Sequence, residues 1–269
     1  MGVVKGKKVL RDESKNGVKQ WKMFGVPLFG KGMDEVLKLI EENGLKSNRK
    51  PYWIATVNTE FVMETQKDRD FLKLLQNETD LNVVDAIGLI WAREVVTSNK
   101  KLETRIIKGF KVGVEILQGK HKENLVPGVD LVDRMCRLAE EKEKSVFFFG
   151  GWDDRSQKTA EFFLKKYPKL KVAGYQAEDF DFETKADFLL VARAMKKQEI
   201  WIGQNIDKLK VKVVMGVGRT FDYYSGELPR APLGLRKMGL EWLYSLYKEP
   251  KRWRRQLALP KFIGKVLFD

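Results

Sequence analysis

Apolar residues along this 269-residue chain fall in short runs, each followed by a longer stretch with helical spacing. Tyr52–Val57 is a compact β-rich run. Thr59–Leu75 follows it with apolar residues at Phe61, Val62, Phe71, Leu72 and Leu75, the spacing of an amphipathic helix. The alternation recurs. Leu81–Val84 reads as a strand and Ile87–Val95 as a helix. Val129–Lys142 has Leu131, Val132, Met135, Leu138 and Ala139 on one side. Ser145–Phe149 is a strand ending at Gly150-Gly151, and Ser156–Tyr167 is a helix stopped by Pro168. Lys171–Tyr175, Phe188–Ala192 and Val211–Gly216 supply further strands. Gly25–Leu28 predicts a short strand ahead of this core, and Met33–Gly44 a helix ended by glycine.

Strands that are apolar throughout, alternating with helices, belong to a parallel sheet covered on both faces. The expected fold is therefore α/β, a Rossmann-like, mostly parallel sheet flanked by helices. Such sheets bind ligands beyond the carboxyl ends of their strands. Attention falls on Thr56-Val57-Asn58, Asp85, Gly150-Gly151, Ala192–Gln198 and Gly216–Asp222. Two stretches stand apart. Ser98–Asn124 is Lys-rich with embedded apolar residues; of two readings, an insertion that lies on a membrane or partner and a solvated helical excursion, the second is favoured. From Ala231 onward bases alternate with Trp242, Tyr244, Tyr247, Trp253 and Phe262. The expected division is a core over 1–228 and a basic, aromatic helical appendage over 229–269.

Composition narrows the chemistry. One cysteine and one histidine exclude an intramolecular disulfide and a Cys/His zinc site. Carboxylates, hydroxyls, amides and arginines must carry any reaction. A net charge of +14 implies an anionic partner, and the segment from Leu228 to Asp269 holds ten bases against three acids. No apolar run reaches the roughly 18 to 20 residues that span a bilayer. Met1–Val9 lacks the apolar stretch of a secretory signal. The expected location is cytoplasmic, peripheral on the inner face of the cell membrane.

Asp85 follows a strand among apolar neighbours, where desolvation would make it a stronger base; locally, an N-cap on the next helix is the more common use. Thr56 and Asn58 suit a sugar, a phosphate or plain turn chemistry equally well. Gly150-Gly151 would let backbone N–H groups approach a phosphate. Asp179-Phe180-Asp181 and Asp68-Arg69-Asp70 have the DxD shape of metal-dependent glycosyltransferases, a weak pattern. The aromatic and arginine-rich tail fits nucleic acid, lipid headgroups or a pyrophosphate, and a plain charged surface helix equally well.

Taken together, these segments resemble the WecG/TagA/CpsF family of bacterial glycosyltransferases. The resemblance runs from Phe24-Gly25-Val26-Pro27 through Thr56-Val57-Asn58-Thr59-Glu60, Asp85-Ala86-Ile87-Gly88 and Gly128-Val129-Asp130-Leu131. It continues at Phe148-Phe149-Gly150-Gly151, Lys197-Gln198-Glu199 and Gly216-Val217-Gly218 to Phe221-Asp222. It ends with Arg230-Ala231-Pro232, Gly239–Tyr244 and Glu249-Pro250-Lys251-Arg252-Trp253. The family implies inverting transfer of a sugar, with N-acetylmannosamine the best-known donor sugar, from a UDP-sugar to a polyprenyl-diphosphate-linked acceptor in teichoic acid or surface polysaccharide synthesis. It makes Asp85 the base and sets Thr56 and Asn58 beside the sugar. Gly150, Gly151, Gln198, Glu199, Gly218 and Asp222 fall around the nucleotide, and Arg252 and Arg255 reach the diphosphate from the appendage. No metal or other cofactor is expected, nor nucleic acid as partner. An anionic membrane surface is expected as partner, and a homo-oligomer is left open.

The chain departs from the family pattern in places. Pro-Asp-Gly becomes Val84-Asp85-Ala86, and Gly-(Ala/Ser)-Pro-(Lys/Arg)-Gln-Glu becomes Ala194-Met195-Lys196-Lys197-Gln198-Glu199. Ser245 stands for an arginine, and Arg219 for a small residue. Another UDP-hexose or a uronic acid donor is therefore a rival reading. A non-catalytic basic protein binding anionic lipid or RNA is the rival from another class.

Overall fold

A computed structural model describes residues 13–15, 18–46, 50–97 and 101–269, without the side chains of 13–15, 18–19 and Arg252. Met1–Val9 and the start of the Ser98–Asn124 stretch lie outside the described residues. The described residues form a nine-stranded sheet: β1 (Glu13–Lys15), β2 (Val18–Met23), β3 (Val26–Phe29), β4 (Tyr52–Val57), β5 (Leu81–Val84), β6 (Ser145–Gly150), β7 (Lys171–Gln176), β8 (Lys185–Ala192) and β9 (Lys210–Gly216). Their spatial order is β1-β2-β3-β5-β4-β9-β8-β6-β7. Every pair from β3 to β7 is parallel. Only the β1–β2–β3 edge is antiparallel. That edge extends the single short strand expected near Gly25–Leu28. It turns at Phe24-Gly25, both at positive φ.

Helices α1 (Met33–Leu39, continued by a π-helical turn over Ile40–Leu45), α2 (Thr59–Thr65), α3 (Arg69–Asn77), α4 (Ile87–Val96) and α5 (Leu102–Leu117) belong to the first half. Helices α6 (Gly128–Glu141), α7 (Arg155–Lys166), α8 (Lys197–Asn205) and α9 (Thr220–Tyr224) accompany the second. The one helix expected over Thr59–Leu75 is in fact two. The Asp68 carboxylate accepts from the backbone N–H groups of Asp70 and Phe71 at 2.9 and 3.0 Å and starts α3 afresh. The apolar spacing could not show this break, because it has a gap between Val62 and Phe71.

Side chains alternate across the strands, and both faces are dry. Ile54, Val83, Phe148, Leu190 and Met215 pack with α1, α6 and α7 on one side. Ala55, Val57 and Val84 meet α2, α3 and α4 on the other. Trp53, Phe149, Leu189 and Val214 continue that side beside α8. This double burial explains why the strands read as unbroken apolar runs.

The tail comprises α10 (Leu233–Lys237), α11 (Glu241–Lys248), a 3₁₀ turn over Pro250–Arg252, α12 (Trp253–Gln256) and α13 (Ala258–Phe268). Its last helix shares the core: Phe262 and Val266 are buried, and the Phe262 ring meets Phe24 edge-on at 6.2 Å. Trp242, Tyr247 and Trp253 are exposed. Among the described residues no helix is long and apolar enough to cross a membrane.

Candidate active site

The carboxyl ends of β5, β4, β9, β8 and β6 line one edge of the sheet, and the chain changes direction across it between β5 and β6. A ligand site is expected at such a switch point. Asp85 follows β5 there. Its backbone N–H donates to the Val57 carbonyl at 2.9 Å, tying it to the end of β4. It does not cap the next helix: Ala86 occupies the cap position of α4 with no side-chain bond. The Asp85 carboxylate instead accepts the backbone N–H of Gly128 at 2.6 Å, at the start of α6.

Gly128 sits in close quarters. A Cβ at this position would lie 3.2 Å from Thr56 Cγ2 and 3.6 Å from Asp85 Oδ1. The bare backbone lets α6 bring its N-terminus onto the carboxylate. Thr56 is buried, and its hydroxyl donates to the Gly216 carbonyl at 3.2 Å, joining the ends of β4 and β9.

The Asp85 carboxyl is lifted to about 7, above all by loss of hydration, with Glu241 and Asp130 adding to the rise. The Gly128 N–H and Arg230 oppose it without prevailing. Arg230 clasps Asp130 with both terminal nitrogens and donates from Nε to Glu241 at 3.2 Å. It thereby ties the first residues of the tail to α6 and α11, around the acid.

Further along the same edge lies a cleft of about 480 Å³ lined by Trp152, Asp153, Arg155, Arg219, Asp222, Glu249 and Arg255. Asp222 is buried between two guanidiniums, Arg155 Nη1 at 2.5 Å and Arg219 Nε at 2.9 Å. Arg219 also reaches Glu249 of the tail at 2.6 Å. Burial works against its charge, but Glu249 and Asp222 outweigh that and hold it above the ordinary arginine range. Arg255 donates to Glu60 at 2.8 Å from α12, so the tail bridges to α2 over the end of β4.

The expected site residues therefore divide. Asp85 and Thr56 meet at Gly128; Asp222 and Arg255 share the arginine cleft, whose lining does not include Asp85. The two centres are joined by α11, which starts at Glu241 and ends just before Glu249, a rise of roughly 12 Å. Asn58 caps α2, its side-chain oxygen accepting from Glu60 and Phe61 N–H at 2.9 and 3.2 Å. Gln198 and Glu199 are fully buried beneath the β9–α9 loop. Gln198 accepts the Gly218 N–H at 2.8 Å and donates to Glu199 at 2.6 Å, so they and Gly218 shape the loop. Gly150 and Gly151 both have positive φ. A Cβ on Gly150 would sit 2.4 Å from the Ala192 carbonyl, and the resulting turn places Trp152 at the cleft. The side chain of Arg252 lies outside the described residues.

Both DxD patterns are local structure. Asp68 caps α3 and pairs with Lys196 at 2.7 Å, and Asp181 accepts the Glu183 N–H in a turn. Lys196 has φ of +70°. A proline, locked near −65°, could not adopt it, so this stretch follows a path closed to the family's usual residue. Arg155, Arg230, Glu241 and Gly128 were missed as site residues. Gly128, Arg230 and Glu241 do fall within the segments that carry the family resemblance, and Arg155 stands one turn after the Gly-Gly pair.

Comparison with known proteins matches residues 21–118 and 108–269 to the glycosyl transferase WecG/TagA/CpsF family. Three relatives carry the name N-acetylglucosaminyldiphosphoundecaprenol N-acetyl-beta-D-mannosaminyltransferase. That of Bacillus subtilis strain 168 is 28% identical over 223 residues, 80% of this chain and 78% of its own length. That of Bacillus spizizenii is 27% identical, covering 85% and 83%. That of Staphylococcus aureus strain MRSA252 is 24% identical, covering 94% of each chain. With nearly its whole length from residue 21 matched, the chain belongs to the WecG/TagA/CpsF family of glycosyl transferases.

Proposed function

We propose that this enzyme transfers N-acetylmannosamine from its UDP derivative to N-acetylglucosamine carried on a polyprenyl diphosphate, with inversion, at the inner face of the membrane. The observation that carries the reading is the placement of Asp85: a carboxyl lifted to about 7, beside Thr56, at the switch point of the sheet. A base with a pKa near ambient pH is ionised often enough to act and basic enough to take a proton. In the proposed step Asp85 removes the proton of an acceptor hydroxyl as its oxygen attacks the anomeric carbon. The bond to the UDP oxygen breaks, and UDP leaves with the electron pair.

Charge then grows on the departing diphosphate. Arg219 and Arg155, now bound to Asp222 and Glu249, would exchange these carboxylates for phosphate oxygens, and Arg255 would close from the tail. These cations would supply the stabilisation that a divalent ion gives elsewhere, so turnover is expected to be unchanged in EDTA. A requirement for added Mg²⁺ or Mn²⁺ would refute this part.

Membership of a glycosyl transferase family removes the reading as a non-catalytic binding protein. A second donor reading is favoured by one observation. Arg219 adds a cation to the cleft where the family pattern has a small residue, which suits an acidic sugar. The test is UDP release from a panel of UDP-sugars, including a uronic acid form, with a soluble polyprenyl-diphosphate-N-acetylglucosamine analogue. Preference for UDP-N-acetylmannosamine supports the first reading, preference for the acidic sugar the second, and absence of release with every donor overturns both.

A further inference from the structure

Helix α5 has the wrong outer face for a helix in water. Its inner face packs on α4: Gly109, Val112 and Ile116 are buried, and Trp91 Nε1 donates to the Gly109 carbonyl at 2.8 Å. The face turned away from the protein should then be polar. Instead Ile107 and Phe110 are 70% and 77% exposed, and Leu102, Ile106, Val114 and Leu117 are exposed around them. They recur at steps of three and four, one continuous stripe along the helix. The excursion expected to be solvated therefore presents a contiguous apolar surface.

Charge identifies what covers it. Between Lys101 and Glu123 the chain has six bases and three acids. One of those acids, Glu115, is paired with His121 at 2.7 Å. Lys108 and Lys111 flank the stripe. Pairing this face with a second copy of itself would set base against base. An anionic bilayer meets both demands, its acyl chains taking the stripe and its headgroups the lysines.

Hydrogen bonds tie the tail to both ends of this stretch. Arg105 donates to the Leu267 carbonyl at 3.2 Å, next to exposed Phe268. Lys122 donates to the carbonyls of Arg236 and Lys237, next to exposed Met238. The buried face of α5 borders the site at its far end. A Cβ on Gly239 would lie 3.0 Å from Ile116 and 3.4 Å from Ile87, two residues beyond Asp85.

We propose that α5 lies in the interfacial plane of an anionic bilayer, with Ile107 and Phe110 among the acyl chains, and so sets the Asp85 edge of the sheet against the membrane. The docking itself is independent of the proposed reaction; its use in presenting a lipid-linked acceptor rests on that reaction. The test is sedimentation of the full chain with phosphatidylcholine vesicles, with and without phosphatidylglycerol. The parent chain should bind the anionic vesicles. Ile107→Glu with Phe110→Glu should weaken binding about tenfold or more, and Lys108→Glu with Lys111→Glu should erase the preference for phosphatidylglycerol.

UDP release with the soluble acceptor analogue should be equal in parent and variants, so a failure of docking is distinguishable from a failure of the reaction. Phe110→Trp guards against misfolding as an explanation. Its emission should shift to the blue, and bromine-labelled acyl chains should quench it beyond the quenching of the parent. Unchanged vesicle binding by the double glutamate variant, no added quenching of the tryptophan, or a parent dimer that the glutamates dissolve without loss of vesicle binding would each overturn the proposal.

Discussion

Asp85 and Asp222 are carboxylates on the same edge of one sheet, and the protein treats them in opposite ways. Asp222, only 7% exposed, sits between Arg155 and Arg219. Asp85, half-buried, has Glu241 and Asp130 as neighbours, with Arg230 already committed to both of them. Loss of hydration does most to lift the Asp85 carboxyl, and its acidic neighbours add to that. An acid left beside other acids is prepared to take a proton. An acid enclosed by arginines holds cations in place until a stronger anion arrives. In the proposed reaction one end of α11 would serve proton transfer and the other charge.

The largest effect should come from removing the proton acceptor. Asp85→Asn keeps the shape and the bond from Gly128 but cannot take a proton, and should lower kcat by about a hundredfold to ten-thousandfold. UDP binding, measured by calorimetry, should be unaffected. In the parent enzyme kcat/KM should rise with pH and level off above about 7, because only the ionised carboxylate accepts the proton. Near-normal turnover by the variant, or a profile flat through 7, would collapse the distinction between the two acids.

Arg219→Ala is the complementary test. It should weaken UDP binding and lower kcat/KM by about a hundredfold, roughly 3 kcal/mol, the usual cost of losing one well-placed charge-stabilising donor. The midpoint of the pH profile should not move, since Arg219 is not among the groups that set the Asp85 carboxyl. If UDP binds the variant as tightly as the parent, the cleft is not where the diphosphate lies.

How much of this was legible in the sequence follows from the range of each interaction. The parallel strands announced themselves, because burial on both faces leaves a continuous apolar run such as Tyr52–Val57. The position of Asp85 at a strand end was equally plain. Its partners were not: Gly128 is 43 residues away and Arg230 and Glu241 lie in the tail, and no local spacing encodes contacts of that length. Asn58 and Gln198 show the reverse. Their residue types suit ligands, yet one caps a helix and the other holds the Gly218 N–H. The stripe on α5 was visible as apolar residues, but only packing on α4 reveals which of them face outward.

Glu199 offers a third, smaller test, on stability. It is fully buried, and dehydration lifts its carboxyl to about 7 against the bonds from Gln198 and the Lys196 N–H. Its ordinary value is 4.5, so the folded state holds this proton more tightly than the unfolded chain. The contribution is complete below the unfolded value and is lost as pH rises through the folded one. Stability in urea should therefore fall between about pH 5 and about pH 8, by about 3 kcal/mol at most from this group. Glu199→Gln should flatten the slope; an unchanged slope would mean that the side chain is hydrated in solution.

The finest test is Glu249→Gln, because Glu249 belongs to both parts of the comparison. It neutralises Arg219 at 2.6 Å, and it ends the α11 segment that begins beside Asp85. Both side chains of the pair are partly exposed, at 26% and 32%, so the pair is worth no more than about 1 kcal/mol. Removing the charge frees Arg219 for phosphate while loosening one tie of the tail. If the cleft works by exchanging its own carboxylates for the diphosphate, the first effect prevails. UDP should then bind up to about fivefold more tightly at low ionic strength, and the gain should fade as salt shortens the reach of exposed charges. The pH midpoint of kcat/KM should stay near that of the parent, since Glu249 is not among the groups acting on Asp85. Weaker UDP binding would instead make Glu249 a contact of the ligand itself, and a moved midpoint would mean that α11 couples the two acids.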